Sequence, residues 1–264
     1  MKRIVFLVTI MLGSIICSKA QELRKIDNSV FKRGEELIFK VYYDAALTGK
    51  VVAGMAYLKV TDENKIIGGR NTYHVVGLGK SLGMFNFFFK VVDNYETYID
   101  EEGIFPWLFI RRVNEGGYKI SQDITFDQNK CKTISQKKTL KTPKYIQDII
   151  SSFYYARTYD FTNAKEGDLY PVDFYIDDSV YTSKIKYLGK DVVTTDLGTF
   201  NCLKFKPMVV VDQTFKEPYP MTLWVTDDKN RIPIIAESAI RVGKVKMELI
   251  KYSGIANPLT SQVK

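Results

Sequence analysis

The chain has little of the chemistry from which catalytic and metal centres are usually built. Its 264 residues include one histidine, His74, and three cysteines. After removal of an N-terminal leader only Cys131 and Cys202 would remain, and two thiols and one imidazole need two carboxylates to make a usual zinc site. His74 lies in a strand-like pattern with no serine or cysteine nearby in an elbow-type motif. The sequence therefore predicts a non-enzymatic protein with no catalytic residues, no metal and no cofactor.

One enzymatic alternative stays open because it needs only two carboxylates. Glycoside hydrolases place such a pair about 5 to 10 Å apart across a cleft. The candidates in predicted strands and turns are Asp93, Glu96, Asp173 and Asp177. A carbohydrate-active hydrolase is accordingly the third hypothesis of function.

The two later cysteines are open to two interpretations. Cys131 and Cys202 stand in two predicted strands, with no spacing pattern typical of a disulfide framework. They would form one disulfide in an oxidising compartment, or remain as two buried thiols.

No apolar run is long enough to span a membrane. The longest, residues 4–16, follows Lys2 and Arg3 and is followed by Ser18 and Ala20, whereas a membrane-spanning helix needs about 20 apolar residues. This pattern is typical of a secretory signal peptide, residues 1–20, cleaved after Ala20. We expect an exported protein of the periplasm or outer envelope, with no transmembrane segment after cleavage.

Cys17 offers an alternative to cleavage at that site. A cysteine at the end of a short apolar leader is typical of a bacterial lipoprotein, which keeps the cysteine and attaches lipid to it. Ile16 stands where the lipoprotein peptidase requires a small residue. Removal of Cys17 with the signal peptide is therefore the preferred interpretation.

The charge is mildly basic. The formal net charge is +8, and removal of Lys2, Arg3 and Lys19 leaves 35 basic against 30 acidic residues, or +5. A basic stretch lacks interleaved aromatics, which argues against nucleic acid as a partner and favours an edge protected from pairing, with anionic headgroups as the alternative contact. Its lysines are Lys130, Lys132, Lys137, Lys138, Lys141 and Lys144.

Apolar and polar residues alternate along most of the chain, with turn residues at intervals of roughly 8 to 15 positions. Hairpin signals stand at 100–103, 114–117 and 127–130. The pattern predicts a mainly β fold: a twisted, partly closed antiparallel sheet, open barrel or sandwich-like, with one main amphipathic helix packed on or into it. We expect a single domain over 21–255 and a flexible tail over 256–264.

The helix interrupts this alternation. Thr142 and Pro143 are typical of an N-cap and a first helical position, and the predicted helix ends near 157–159. Its apolar residues follow at helical spacing: Ile146, Ile149, Ile150, Phe153 and Tyr154.

A polar ridge runs along the same helix. Asp148, Ser151, Tyr154 and Arg157 stand three residues apart and drift slowly around one side. The ridge would line the mouth of a cleft, or it would be structural, with Asp and Arg complementing the helix dipole.

An aromatic run supplies the material for a binding site. Phe85, Phe87, Phe89 and Val91 would share one face of a predicted strand beside a glycine-bearing corner. They would pack as core, or they would line a curved sheet that holds an acyl chain or another apolar ligand. In the second case the helix would act as plug or lid, through Ile149, Ile150, Phe153 and Tyr154.

Several motifs together resemble a known family of exported bacterial proteins, domain of unknown function 3108. They are Gly34–Leu37, Val92–Tyr95 followed by Pro106, the helical run Asp148–Arg157, Leu197–Phe200, and Leu223–Asp227 followed by Pro233. The resemblance covers nearly the whole mature chain and implies an envelope protein with an antiparallel β fold. It supplies no activity and no catalytic residues. The junction of Ala20 and Gln21 is also similar to the cleavage sites of Bacteroidetes secretory proteins.

The leading hypothesis is therefore envelope-associated binding of an apolar or lipid-like small molecule by a non-enzymatic protein. The second is a structural or interaction component of the cell envelope, with an envelope protein as partner. Both leave the ligand, the partner and the oligomeric state undetermined.

Cleavage after Ala20 can be tested on protein secreted by a bacterial host. Intact-mass spectrometry should give a chain that begins at Gln21 and carries no lipid. A chain beginning at an acylated Cys17, lost in the variant Cys17→Ser, would contradict the prediction.

Overall fold

The computed structural model describes residues 22–46, 49–211 and 215–263. The predicted signal peptide, with Cys17 and the cleavage site, lies outside these residues. The described chain forms one large antiparallel sheet, a separate two-stranded hairpin and two helices.

The elements alternate up and down along the chain. Those up to residue 141 are β1 Glu36–Ala45, β2 Gly49–Val60, β3 Ile66–Ile67, β4 Arg70–Ser81, α1 Gly83–Phe88, β5 Val92–Asp100, β6 Pro106–Glu115, β7 Tyr118–Asp127, β8 Lys132–Ile134 and β9 Thr139–Lys141. The later ones are α2 Ile149–Arg157, β10 Leu169–Pro171, β11 Phe174–Ile176, β12 Ser179–Tyr181, β13 Lys184–Thr195, β14 Gly198–Pro207, β15 Met221–Thr226, β16 Pro233–Ala239, β17 Lys244–Ser253 and β18 Gln262–Val263.

The strand order is β10-β13-β14-β15-β16-β17-β1-β2-β4-β5-β6-β7-β8-β9, and the sheet is not closed. Because neighbours are antiparallel, successive connections fall at opposite ends of the sheet. One end of the sheet carries the connections β1–β2, β4–β5, β6–β7, β14–β15 and β16–β17, and we call this end the upper rim. The other end, with β2–β4, β5–β6 and β15–β16, is the lower rim.

The inner face of the curved sheet is filled by side chains and by α2. Three buried clusters cover it. The first forms around Leu37, Phe39, Phe200 and Leu249. The second forms around Val60, Val75, Ile99 and Tyr154, and the third around Phe109, Ile124, Phe126 and Tyr175. Gly77 in β4 gives α2 its close approach, since a Cβ there would lie 3.2 Å from Cδ1 of Ile150. The predicted open antiparallel sheet with one main helix is confirmed.

The start of α2 differs from the prediction. Thr142 and Pro143 precede the helix, because Tyr145 has a left-handed φ of 63° that a helix cannot contain. Asp148 is the N-cap: its carboxylate accepts hydrogen bonds from the backbone N–H groups of Ile150 and Ser151, both at 2.8 Å. The Ser151 hydroxyl accepts from the Asp148 N–H at 2.9 Å, which completes a capping box.

The polar ridge of α2 faces inward. Asp148, Ser151, Tyr154 and Arg157 are all buried. Arg157 donates to both carboxylate oxygens of Glu35, at 2.6 and 2.8 Å, and to the carbonyl of Asn230 at 3.0 Å. The ridge therefore attaches the helix to the sheet and does not line a cleft mouth.

The predicted strand over Phe85–Val91 is wrong. This segment contains α1, and it leaves the sheet at Gly83, whose φ of 54° is left-handed. Ser81 closes the excursion: its hydroxyl accepts from the Val91 N–H at 2.8 Å and donates to Oδ1 of Asn86 at 2.7 Å.

The C-terminal residues differ from expectation, and of the two interpretations left open for the cysteines the structure has free thiols. Residues 256–263 are held in place, since Asn257 donates to Asn230 at 2.8 Å and β18 pairs with β14. Cys131 and Cys202 are free thiols. Cys202 is buried in β14 within the first core cluster, whereas Cys131 lies in the distant turn between β7 and β8, so no disulfide joins them.

The Glu35–Arg157 pair should behave as a coupled unit. Removal of one partner leaves a buried charge, so Glu35→Gln or Arg157→Met alone should lower the free energy of unfolding by about 3 to 5 kcal/mol. The double variant should lose clearly less than the sum. Urea denaturation of the four proteins gives the coupling energy, and additive losses would contradict this role.

Asp148 should make stability depend on pH. Burial raises its pKa to about 6, against the hydrogen bonds from Thr97, Ser151 and Ile150, which lower it. The unfolded chain releases this proton near pH 4, so stability falls as pH rises from about 4 to about 6, by roughly 3 kcal/mol in all. Relative to Asp148→Asn, an equally good N-cap, the wild type should lose this amount in urea titrations between pH 4 and 7. Parallel curves would contradict the assignment.

Candidate functional site

Most of the large hydrophobic side chains that the described chain exposes lie on the upper rim or in the strand ends beside it. They are Val51, Val52, Leu82, Met84, Phe87, Phe88, Phe89, Val92, Tyr118, Val211 and Val242. Singly exposed apolar residues are common on proteins, but a concentration at one end of the sheet marks an interaction surface.

The helix α1 is the centre of this surface. It contains no buried residue, and Met84, Phe87 and Phe88 are 78%, 86% and 76% exposed. Phe85 is half-buried, with its ring 5.7 Å from that of Tyr43 in β1. The helix thus rests on the sheet through one aromatic residue and presents the others to the surroundings.

The rest of α1 is fixed by its two ends. The Leu82 N–H donates to the Ala53 carbonyl at 2.9 Å, and after the helix the Lys90 carbonyl accepts from the Gly116 N–H at 2.8 Å. A six-residue helix has too few hydrogen bonds to form alone in water. These attachments therefore hold apolar side chains in an exposed position that the isolated segment would not keep.

Cations surround the apolar centre. Lys50, Lys80, Lys90 and Lys119 are exposed in the connections and strand ends of the upper rim. α1 has no acidic residue in its first turn, and its sequence Gly83–Phe88 contains none. The surface is therefore apolar in the middle and basic at its margin.

Two acidic residues in the strands next to α1, Asp93 and Glu115, add little negative charge to this surface, whereas Asp44 and Glu217 are exposed on the same rim. Asp93 is buried and accepts a hydrogen bond from the Asn114 N–H at 3.0 Å. Burial, and then the neighbouring Asp93, raise the pKa of Glu115. Both effects favour its neutral form and limit the negative charge at the base of α1.

The structure separates the two halves of the predicted ligand site. Phe85, Phe87 and Phe89 belong to α1 and its C-cap on the upper rim, and Val91 bridges to Glu115. On α2, by contrast, four residues pack in the second and third core clusters: Ile149, Ile150, Phe153 and Tyr154. The predicted wall and its helical lid do not face one another.

The carboxylates named as candidates for hydrolysis are engaged with other groups. Asp93 and Glu96 lie on opposite faces of β5, because they stand three positions apart in one strand. Asp177 pairs with Arg111 at 2.5 Å, and Asp173 accepts from the Ser183 N–H at 3.2 Å. Glu96 accepts from the His74 ring at 3.0 Å, so each of the four carboxylates has a partner of its own.

His74 has hydrogen-bond partners on both ring nitrogens. Its Nε2 lies 3.0 Å from Glu96, and its Nδ1 lies 3.1 Å from the Thr61 hydroxyl and 3.2 Å from Glu63. The ring stacks on Tyr98 with centroids 4.5 Å apart. This arrangement is that of a satisfied strand histidine.

Two further features are absent from the described residues. None of their helices has the length and apolar character needed to cross a membrane. Within the same residues, no three or more His, Cys, Asp or Glu side chains form a group that could hold a metal ion.

Comparison with solved structures shows the fold. A β-barrel-like protein of the domain of unknown function DUF1849, from Brucella abortus, is 12% identical with a TM-score of 0.54, over 84% of this chain and 98% of that one. A candidate lipoprotein from Parabacteroides distasonis is 15% identical with a TM-score of 0.39, over 88% and 100% of the two chains. No curated protein matches the sequence.

Comparison with family models gives one assignment. The model of the family described as protein of unknown function (DUF3108) matches residues 38–250. This span is most of the chain and contains nearly the whole sheet. The chain belongs to the DUF3108 family, as its motifs predicted.

Proposed function

We propose that this is an exported, non-enzymatic envelope protein that binds a lipid surface through the upper rim. The observation that carries the proposal is α1, which holds Met84, Phe87 and Phe88 outside the sheet with no protein contact to bury them. In this proposal the acyl region of a bilayer takes the place of the lipid-like small molecule expected from the sequence. The signal peptide expected at residues 1–20 would bring the protein to the envelope.

The shape of the site favours a surface over a single small ligand. The inner face of the sheet is occupied by α2 and its core clusters, whereas α1 projects from the rim. A projecting aromatic group with lysines at its margin fits the boundary of a bilayer, where apolar side chains enter the acyl layer and cations meet the headgroups. The lysines give the charge complementarity to anionic lipid.

The expected strength is that of reversible, peripheral binding. Burial of a Phe or Met side chain contributes about 1.5 to 3 kcal/mol, so Met84, Phe87 and Phe88 together supply roughly 5 kcal/mol. Each lysine close to an anionic surface adds about 1 kcal/mol. Lys80 and Lys90, which flank α1, would therefore raise the affinity for anionic vesicles without making the attachment permanent.

The double variant Phe87→Ser, Phe88→Ser should lose at least about tenfold in vesicle affinity, because each lost aromatic removes more than 1.4 kcal/mol. Vesicles of phosphatidylethanolamine and phosphatidylglycerol, in a flotation assay on the mature protein, give the measurement. Both side chains are exposed, so the variant should keep the wild-type unfolding free energy.

A matched control removes apolar surface elsewhere. Ile66 on the lower rim and Val192 in β13 are 67% and 60% exposed, and Ile66→Ser, Val192→Ser should bind vesicles as the wild type does. Equal binding by both double variants would overturn the proposal. Failure of the wild type to bind any vesicle would also overturn it and would favour the second hypothesis, an envelope protein as partner.

A further inference from the structure

A groove runs down the outer face of the sheet from the upper rim, on the side opposite to α1. It has a volume of about 410 Å³ and is lined by β1, β2, β15, β16 and β17. Tyr43 contacts Phe85 of α1 on one face of the sheet. Tyr42 and Asp44 are its neighbours in β1 and therefore lie on the opposite, outer face. The groove opens at the upper rim, so it would meet the headgroup layer when α1 enters a bilayer.

Both signs of charge line the groove, at different depths. Asp44 pairs in register with Lys244 on one side and with Lys50 on the other, which places these two lysines at the rim end. Glu237 pairs in register with Lys246, two residues further from the rim than the Ala239 and Lys244 pair. At about 3.4 Å per residue this is about 7 Å deeper.

The lysines at the rim end are available to a ligand. Lys50 and Lys244 are exposed, and the Nζ of Lys50 lies 4.4 Å from the centroid of the Tyr42 ring, which holds it over the groove. Asp44 neutralises one of the two positive charges, so the rim end keeps a net charge of +1.

The carboxylate at the deep end is also available. The Nζ of Lys246 forms an ion pair with Oε2 of Glu248 at 2.8 Å and lies 4.0 Å from Oε1 of Glu237. The Glu237 side chain is 51% exposed, and Thr222, its partner in register on β15, brings a hydroxyl group to the lining.

We infer that this groove binds a phosphoethanolamine lipid headgroup, with the phosphate at Lys50 and Lys244 and the ammonium at Glu237. The order of charges agrees with the orientation of such a lipid, whose phosphate lies nearer the acyl chains and whose amine points away from the bilayer. The volume also falls in the range of small-ligand sites. The inference rests on the proposed function, because docking of the rim is what brings a headgroup to the groove.

The test uses a probe that needs no bilayer. Titration of the mature protein with glycerophosphoethanolamine and with glycerophosphoglycerol, two phosphodiesters with the same phosphate charge, followed by NMR, should show tighter binding of the first by about tenfold, since only it pairs with Glu237. Glu237→Gln should abolish this preference and leave glycerophosphoglycerol binding unchanged. Lys50→Ala, Lys244→Ala should weaken both probes by at least about fivefold.

Matched controls lie outside the groove. Glu217→Gln on the same rim and Lys229→Ala on the lower rim change the same charges and should leave both titrations unchanged. Absence of saturable binding, or an equal preference in Glu237→Gln and Glu217→Gln, would overturn the inference. Either result stands apart from the proposed function, which the flotation assay with the Phe87 and Phe88 variant tests without reference to the groove.

Discussion

The attachment of α2 to the inner face of the sheet determines how the two rims differ. A curved, open sheet needs a cover for its apolar concave side, and here α2 supplies it over two of the core clusters. Asp148 attaches its first turn to Thr97 in β5 by a hydrogen bond of 2.6 Å, and Arg157 attaches its last turn to Glu35. Burial also raises the pKa of Tyr154 well above its ordinary value, with the nearby Glu35 carboxylate adding to the effect, so the phenol stays protonated. The interior is therefore a core fixed by polar contacts.

The two rims consequently differ. The lower rim is covered by the N-terminal segment, where Arg24 donates to the carbonyls of Gly103 and Ile104, both at 2.7 Å, and Ile26 donates to that of Glu102 at 2.7 Å. The upper rim has no comparable cover in the described chain, and it carries α1. An antiparallel sheet places every second connection at the same end, so one rim can be closed for stability while the other displays apolar residues. The proposed lipid contact and the headgroup groove are consequences of that division.

The alternation of apolar and polar residues predicted the sheet well, because this alternation is set within each strand and does not depend on which strand lies beside it. The hairpin signals at 100–103 and 114–117 are turns of the structure. The helix end at Arg157 was also predicted. Its start was not, because the left-handed turn at Tyr145 depends on contacts made after folding, such as the Tyr145 N–H bond to Gln128.

The site was predictable only in part. The aromatic run is visible in the sequence, and alternation predicts a strand through it. Phe87, Phe88 and Phe89 are consecutive, however, and cannot all lie on one face of a strand. Three consecutive aromatic residues after Gly83 are the feature of the sequence that indicates a helix outside the sheet. The groove could not be found from sequence, because Lys50, Glu237 and Lys244 come together only through the pairing of β17 with β1. The buried role of Asp148 and Arg157 likewise depends on Thr97 and Glu35, which are distant in sequence.

The proposed contact of the upper rim with lipid can be tested by its depth in a bilayer. Phe87→Trp and Ile66→Trp place an indole on opposite rims at exposed positions, above a constant background from Trp107 and Trp224. With vesicles that carry bromine on the acyl chains, we expect the fluorescence of F87W to shift to the blue and be quenched, while that of I66W is unchanged. Equal quenching of the two variants, or none in F87W at saturating lipid, would contradict the claim that this rim meets the membrane.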